Sequence, residues 1–258
     1  MADAPRVDVR LQTDASGTVA TVTVGNQKKL NTLDSALMRA FIAVIEGLAP
    51  RDDLRAVVLT GAGGRAFIGG ASIDEMAAMG RAGAEAFIRL VHGCCHCLRQ
   101  LPVPVIARID GYALGAGLEV AVSCDLRVAT TRAKFGMPEV KVGLPSVVEA
   151  ALIPGLVGWG RARELLYLGE TVDAETALRW GLVERVVEPA GLDAEVQNIV
   201  TSLLAAGPQA VRSQKRLMQE WEKLPTDRAI AAGIDALVRA FDTDEPKRLL
   251  SAFLNRKR

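Results

Sequence analysis

The stretch from Gly111 to Asp125, GYALGAGLEVAVSCD, constrains the chain more than any other. It opens on glycine-spaced backbone and closes as an apolar run, with one acid, Glu119, set among small and apolar neighbours. The helix formers from Leu118 onward predict Gly115-Ala116-Gly117 as the mouth of a helix. A helix mouth presents backbone N–H groups without partners inside the helix, so it favours developing negative charge. Glu119 then falls in the first turn, three residues past Ala116, and an acid and an N–H donor share one small volume. That pairing suits chemistry beside a carbonyl, where the donor holds an oxyanion and the acid moves a proton. The same residues fit a core helix whose N-terminus is stabilised by Glu119, and the stretch by itself leaves both readings open.

The 258 residues are half hydrophobic, enough for one large domain or a domain with a small appendage. Aromatic residues make up only 4%, so Ala, Val, Leu and Gly must fill the core. A net charge of +1 argues against a general nucleic-acid surface and leaves room for a local basic pocket for one phosphorylated ligand. The N-terminal MADAPRVDVRLQ has neither the basic flank and apolar core of a signal peptide nor an Arg-rich transit pattern. No apolar run reaches the length of a membrane-spanning helix, so no membrane partner is expected. Four cysteines do not make a disulfide scaffold in a chain of this size; a reducing compartment, hence a cytoplasmic location, is expected.

Val7 to Leu11 and Val19 to Val24, around Asp14-Ala15-Ser16-Gly17, predict a hairpin. Asn31 or Thr32 is expected to cap a helix running from Leu33 to Leu48. Ala56 to Thr60 and Val105 to Ile109 read as strands buried on both faces, and Leu126 to Ala129 as a further short strand. Ala84 to Leu98 reads as a helix, and Phe135 to Glu139 as a loop. Beyond about Glu149 the pattern is helical except for Leu182 to Val187, with Thr171-Val172-Asp173 as a cap for a helix ending near Trp180-Gly181. Alternating strands and helices followed by helices alone predict an α/β core over 1–195 and a helical C-terminal region over 196–258.

Two motifs invite other chemistry. His92-Gly93-Cys94-Cys95-His96-Cys97 gathers soft ligands, but zinc sites pair two such knuckles and the chain has no second cluster. On a helix Leu90, Cys94, Cys97 and Leu101 share a face, and buried cysteine is a small hydrophobe, so no metal is expected. These are also the only two histidines, no nucleophile motif accompanies them, and acid–base work falls to carboxylates. The loop GAGGRAF matches only a loose dinucleotide fingerprint and opens no clear helix. Taken singly, Glu139, Lys28, Lys29 and the C-terminal Arg256-Lys257-Arg258 are surface charges.

Four stretches stand in one order: NQKKLNTL at 26–33, GRAFIGGASIDEM at 64–76, GYALGAGLEVAVSCDLRVA at 111–129 and FGMPEVKVGL at 135–144. This order resembles the crotonase superfamily, the enoyl-CoA hydratase/isomerase group, and the closing AFLNRKR is similar to that family's C-terminal signature. The resemblance covers nearly the whole chain. It implies a spiral of ββα units with a helical trimerisation region, assembling as a homotrimer or dimer of trimers. It also implies acyl-CoA thioesters as substrates. Matched residue by residue, the two N–H groups that hold the thioester oxygen are those of Ala71 and Ala116, and the two glutamates that hold water are Glu119 and Glu139. Lys28, Lys29 and the backbone of Ala71, Ser72, Ile73 and Asp74 are implied as the CoA contact, and the basic C-terminus as a contact to a neighbour's CoA phosphates.

The activity so implied is enoyl-CoA hydration: reversible syn addition of water to a trans-2-enoyl-CoA, with CoA as part of the substrate and no metal or redox cofactor. The alternatives are another crotonase reaction (isomerisation, thioester hydrolysis or C–C cleavage) and a non-catalytic acyl-CoA-binding oligomer. Two glutamates favour hydration, since an isomerase needs one acid to shuttle a proton. The sequence departs from the family pattern at Ser72, where Asp is usual, at Asp74, where Lys is common, and at Gly143-Leu144-Pro145-Ser146-Val147-Val148-Glu149, which lacks the family's later glycines. Glu149 is a third acid near the site, and its preferred reading is the first-turn acid of the next helix.

Overall fold

The computed structural model describes residues 5–256. In chain order the elements are β1 (Arg6–Asp14), β2 (Gly17–Gly25), α1 (Ser35–Leu48), β3 (Leu54–Gly61), β4 (Ala66–Ile68), α2 (Ile73–Ala77), α3 (Arg81–Gln100), β5 (Val105–Ile109), β6 (Tyr112–Leu114), α4 (Ala116–Val122), β7 (Leu126–Thr130) and β8 (Lys134–Gly136). The second half follows as α5 (Ile153–Val157), α6 (Trp159–Leu168), β9 (Thr171–Asp173), α7 (Ala174–Trp180), β10 (Arg185–Val187), α8 (Leu192–Ala205), α9 (Pro208–Trp221), α10 (Thr226–Ala240) and α11 (Glu245–Arg256).

The strands form two sheets, one of six in the order β1-β2-β3-β5-β7-β10 and one of four in the order β4-β6-β8-β9. The predicted hairpin is present, with Asp14 opposite Gly17, and from β2 to β10 every pair in the large sheet is parallel. Each turn of the chain lays one long strand in the large sheet and one short strand in the small sheet: β3 then β4, β5 then β6, β7 then β8. The last turn reverses this order, so β9 pairs antiparallel with β8 before β10 joins β7. This is the ββα spiral that the resemblance implied. The three-residue strands β4, β6 and β8 are too short to carry a period of two; sequence patterning reads β4 and most of β8 as loop and assigns no strand at β6.

The large sheet is covered on both faces, as the apolar run of β3 predicts. Val57 and Leu59 point into the main core with α1, α3 and α4, while Ala56 and Val58 pack with Ile106 and Val128 against Leu192, Val196, Ile199 and Val200 of α8. The expected boundary at 195–196 thus lies inside α8, a helix of the sheet. The buried Arg55 side chain donates to the Leu203 and Ala206 carbonyls and fastens the end of α8 to the hairpin side of the sheet.

One cap differs from expectation. Asp34, not Asn31 or Thr32, caps α1 by accepting from the Leu37 N–H at 2.8 Å. Asn31 is buried in the left-handed region and ties three segments: its Oδ1 accepts from the Asn26 N–H, and its Nδ2 donates to the Ala62 and Ala66 carbonyls. Asn tolerates that conformation, and its amide supplies both donor and acceptor. Asp173 caps α7 as expected, accepting from the Thr176 N–H, and it also ends the short strand β9.

α9 is anchored by a buried cation. Lys215 Nζ donates to the Leu98 and Val103 carbonyls and to Asp125 Oδ2 at 2.7 Å, joining α9 to the end of α3 and the start of β5. Removing one partner of a buried pair leaves the others desolvated and unpaired. Because Asp125 is about a third exposed, Lys215→Met is expected to lower the unfolding free energy by about 3 kcal/mol. Urea denaturation reads this directly, and an unchanged midpoint would remove the lysine from the fold's support.

Candidate active site

The three neighbouring parallel strands of the small sheet each end at a candidate site residue. β4 runs into Gly69-Gly70-Ala71, β6 into Gly115-Ala116, and β8 into a 3₁₀ turn, Pro138–Val142, that carries Glu139. Adjacent strands are about 4.8 Å apart, so the three segments arrive side by side. They line a cavity of about 250 Å³ together with Glu119, Met76, Phe87, Ile88 and Val91.

Two backbone amides are available there. Ala71 forms a parallel bridge with Leu33 in which the bonds are made by its neighbours, Leu33 N–H to the Gly70 carbonyl and Ser72 N–H to the Leu33 carbonyl. In that pattern the N–H of Ala71 itself faces the opposite side. Ala116 opens α4, where the Gly115 carbonyl receives the N–H groups of Leu118 and Glu119 and the Ala116 N–H has no intrahelical partner.

Close approach makes this geometry possible. A Cβ at Gly117 would overlap the Ile68 carbonyl oxygen, so α4 lies directly on the end of β4. Gly115 has φ +51°, and a side chain there would meet Glu139 Oε1. The carboxylate of Glu139 therefore stands beside the mouth of α4.

Glu119 is buried, and the only hydrogen bond to its carboxylate among the described residues is from the Ala150 N–H to Oε1 at 3.3 Å. Burial first, and then the charge of Glu139, push its carboxyl up to about 8; Glu149 adds to this and the Ala150 N–H opposes it. Glu139 accepts a hydrogen bond on Oε2 from the Ser146 hydroxyl at 2.8 Å. Glu149 does lie in the first turn of the 3₁₀ segment Val148–Leu152, but it is buried rather than a surface cap. Its Oε1 is 2.7 Å from His92 Nδ1 on α3, while its Oε2 is buried without a hydrogen-bond partner among the described residues.

The structure thus brings Ala71, Ile73, Ala116, Glu119 and Glu139 to one cavity. Lys28, Lys29, Ser72 and Asp74 lie outside its wall. Lys28 and Lys29 occupy a 3₁₀ turn, Ser72 caps α2 by accepting from the Glu75 N–H, and the exposed Asp74 pairs with Lys29 at 2.7 Å. Asp74, which departs from the family pattern, therefore places a counter-charge on a lysine expected at CoA. Lys257 and Arg258 lie outside the described residues, as does the side chain of Arg256. Cys94, Cys95 and Cys97 are core residues whose thiols burial pushes up, and His92 turns toward Glu149. Sequence reasoning did not find Ser146, His92 or the apolar wall from α2 and α3. Their only signals were the altered loop itself and the helical stripe Phe87, Val91, Cys94.

The enoyl-CoA hydratase/isomerase family profile matches residues 14–258, and the chain belongs to that family. It is 35% identical to the short-chain-enoyl-CoA hydratase of Clostridium acetobutylicum over 95% of this chain and 94% of that one. It is 33% identical to the crotonyl-CoA hydratase of Syntrophomonas wolfei over 93% of each chain. The crystal structure of enoyl-CoA hydratase from Bacillus anthracis superposes with a TM-score of 0.92 at 29% identity, covering 97% of this chain and 96% of that one.

The raised Glu119 carboxyl makes stability depend on pH. An acid whose value in the fold (about 8) lies above its ordinary 4.5 favours folding while protonated; that contribution is full below 4.5 and is lost as pH rises through 8. Glu119→Gln cannot ionise, so its stability relative to wild type is expected to climb between pH 5 and 9. The rise is on the order of 1.4 kcal/mol for each pH unit between the two values. Urea midpoints measured in parallel check this; a wild-type-to-variant gap that ignores pH would contradict the burial argument.

Proposed function

We propose that the chain is an enoyl-CoA hydratase that adds water reversibly and syn across the double bond of a trans-2-enoyl-CoA, giving the 3-hydroxyacyl-CoA. The observation that carries the reading is the convergence of two carboxylates, Glu119 and Glu139, and two outward-facing amides, Ala71 and Ala116, on one cavity with an apolar wall. The hydratase names of the relatives from Clostridium acetobutylicum and Syntrophomonas wolfei support it.

In this mechanism the thioester oxygen lies between the Ala71 and Ala116 N–H groups. They polarise the enoyl system, make the β carbon electrophilic and hold the enolate-like oxygen as charge develops. Donors of this kind contribute about 3 kcal/mol each on mutational precedent. The glutamates are described together because the charge of Glu139 helps to raise the Glu119 carboxyl. Burial first, and then the charge of Glu139, raises Glu119 to about 8, so Glu119 is the proton carrier in the ligand-free protein. One carboxylate takes a proton from water as the oxygen attacks the β carbon, and a proton from the pair is delivered to the α carbon. The glutamates end with as many protons as they began with, and hydration needs no oxidant or reductant, so the proposed mechanism calls on no metal or redox cofactor.

The acyl chain then runs along Met76, Phe87, Ile88 and Val91, and CoA leaves past Ile73 toward Lys28 and Lys29. The exposed Ile230, Ile234, Leu237 and Val238 of α10 and Leu250, Phe253 and Leu254 of α11 support assembly through the helical C-terminal region into a homotrimer or a dimer of trimers. A cytoplasmic location accords with the four unpaired cysteines.

The test is loss of the enoyl-thioester absorbance of crotonyl-CoA, run beside Glu119→Gln and Glu139→Gln. Turnover by wild type and a loss of at least about a hundredfold in each variant are expected for acid–base groups. A wild-type protein that binds CoA but leaves short and long enoyl thioesters intact would overturn the reading.

A further inference from the structure

The loop 145–150 carries side chains that do specific things. Pro145 and Val147 wall the cavity. Ser146 donates to Glu139, and the Ala150 N–H donates to Glu119. One short segment therefore touches both glutamates.

From this arrangement we propose that Ser146 is the positioning residue for Glu139: its hydroxyl occupies Oε2 and leaves Oε1, beside Gly115 and the Ala116 amide, as the oxygen that faces water and substrate. The proposal rests on the hydratase reading for its kinetics and on geometry for its structural part. A glutamate on a surface turn has three free torsions, and ordering it for catalysis costs conformational entropy at the moment of reaction unless something holds it beforehand. Glu139 lies on a single 3₁₀ turn, and among the described residues the Ser146 bond is the only hydrogen bond to its carboxylate. A hydroxyl has one proton to donate, so Oε2 is held as an acceptor while Oε1 stays available.

The loop is itself held in place, which a positioning device requires. Val148 adopts φ +40°, a conformation that a β-branched residue avoids and that persists only where its surroundings enforce it. On one side Glu149 is buried against His92 of α3; on the other Ala150 bonds both Glu119 and the Val147 carbonyl. The strained residue is thus clamped two positions from Ser146. Where glycines would let a loop shift, these side chains fix it.

The experiment compares wild type, Ser146→Ala and Ser146→Thr with crotonyl-CoA as substrate. Loss of one hydrogen bond to a charged group corresponds to roughly a tenfold effect. Ser146→Ala is expected to lose about tenfold in kcat with KM within about twofold, and Ser146→Thr, which keeps the hydroxyl, to recover most of the loss. A wild-type kcat in Ser146→Ala, a change confined to KM, or a threonine variant as slow as the alanine variant with an unchanged urea midpoint would each overturn the proposal. Crystal structures of wild type and Ser146→Ala read the same point without turnover. One Glu139 rotamer in wild type and its loss in the alanine variant supports the assignment, and the same rotamer in both overturns it even if the protein hydrates no enoyl thioester.

Discussion

The carbonyl oxygen of Ile68 occupies the space that a side chain on Gly117 would need. That contact, backbone against backbone, lets α4 sit on the end of β4, and the rest of the site depends on it. With α4 seated there, the Ala116 amide opens beside Ala71, and Glu119 in the first turn of α4 points into the same cavity. The small sheet supplies the spacing. β4, β6 and β8 are parallel neighbours, so their C-terminal ends deliver Ala71, Ala116 and Glu139 as adjacent groups from segments more than twenty residues apart in the chain.

The large sheet and its helices make this arrangement rigid. α1, α3 and α4 cover one face and α8 the other, so the strands that feed the small sheet are packed on both sides. Interiors packed at crystal-like density transmit displacement instead of absorbing it, which suits the proposed site, whose two donors would be backbone atoms that side-chain rotation cannot adjust. Asn31 serves the same end nearby, holding the turn of Lys28 and Lys29 to the carbonyls of Ala62, just past β3, and Ala66, at the start of β4.

Electrostatics sets the cost of the site. Glu119 lies in an apolar surround with Glu139 and Glu149 nearby, and its proton is retained well above the usual carboxylate range. In the proposed reaction, the same low polarity that destabilises the ion would strengthen hydrogen bonds from the amides to developing charge. Among the described residues Glu149 is answered on one oxygen by His92, and its other oxygen is buried without a hydrogen-bond partner. Carboxylates crowded at the base of a cavity oppose stability and are held by the surrounding fold.

Much of the fold was legible from sequence because it rests on local pattern. Alternation marked the hairpin, apolar runs marked β3 and β5, and helical spacing placed the cysteines of α3 in the core. Gly115-Ala116-Gly117 announced a helix mouth with an acid in its first turn, and the ordered motifs paired Glu119 with Glu139. Three-residue strands were not legible, since they exist only by pairing with distant neighbours, nor was the cap at Asp34, because Asn31 had been claimed by contacts thirty residues away. The partners Ser146–Glu139 and Glu149–His92 belong to the same class. The first depends on a loop folding back onto a 3₁₀ turn, and the second joins residues 57 positions apart. Sequence by itself determined which residues are candidates for the chemistry, because periodicity and glycine spacing act over a few residues. Only the tertiary structure decided which oxygen and which amide face the cavity, because those directions are set by packing between segments that the chain order keeps apart.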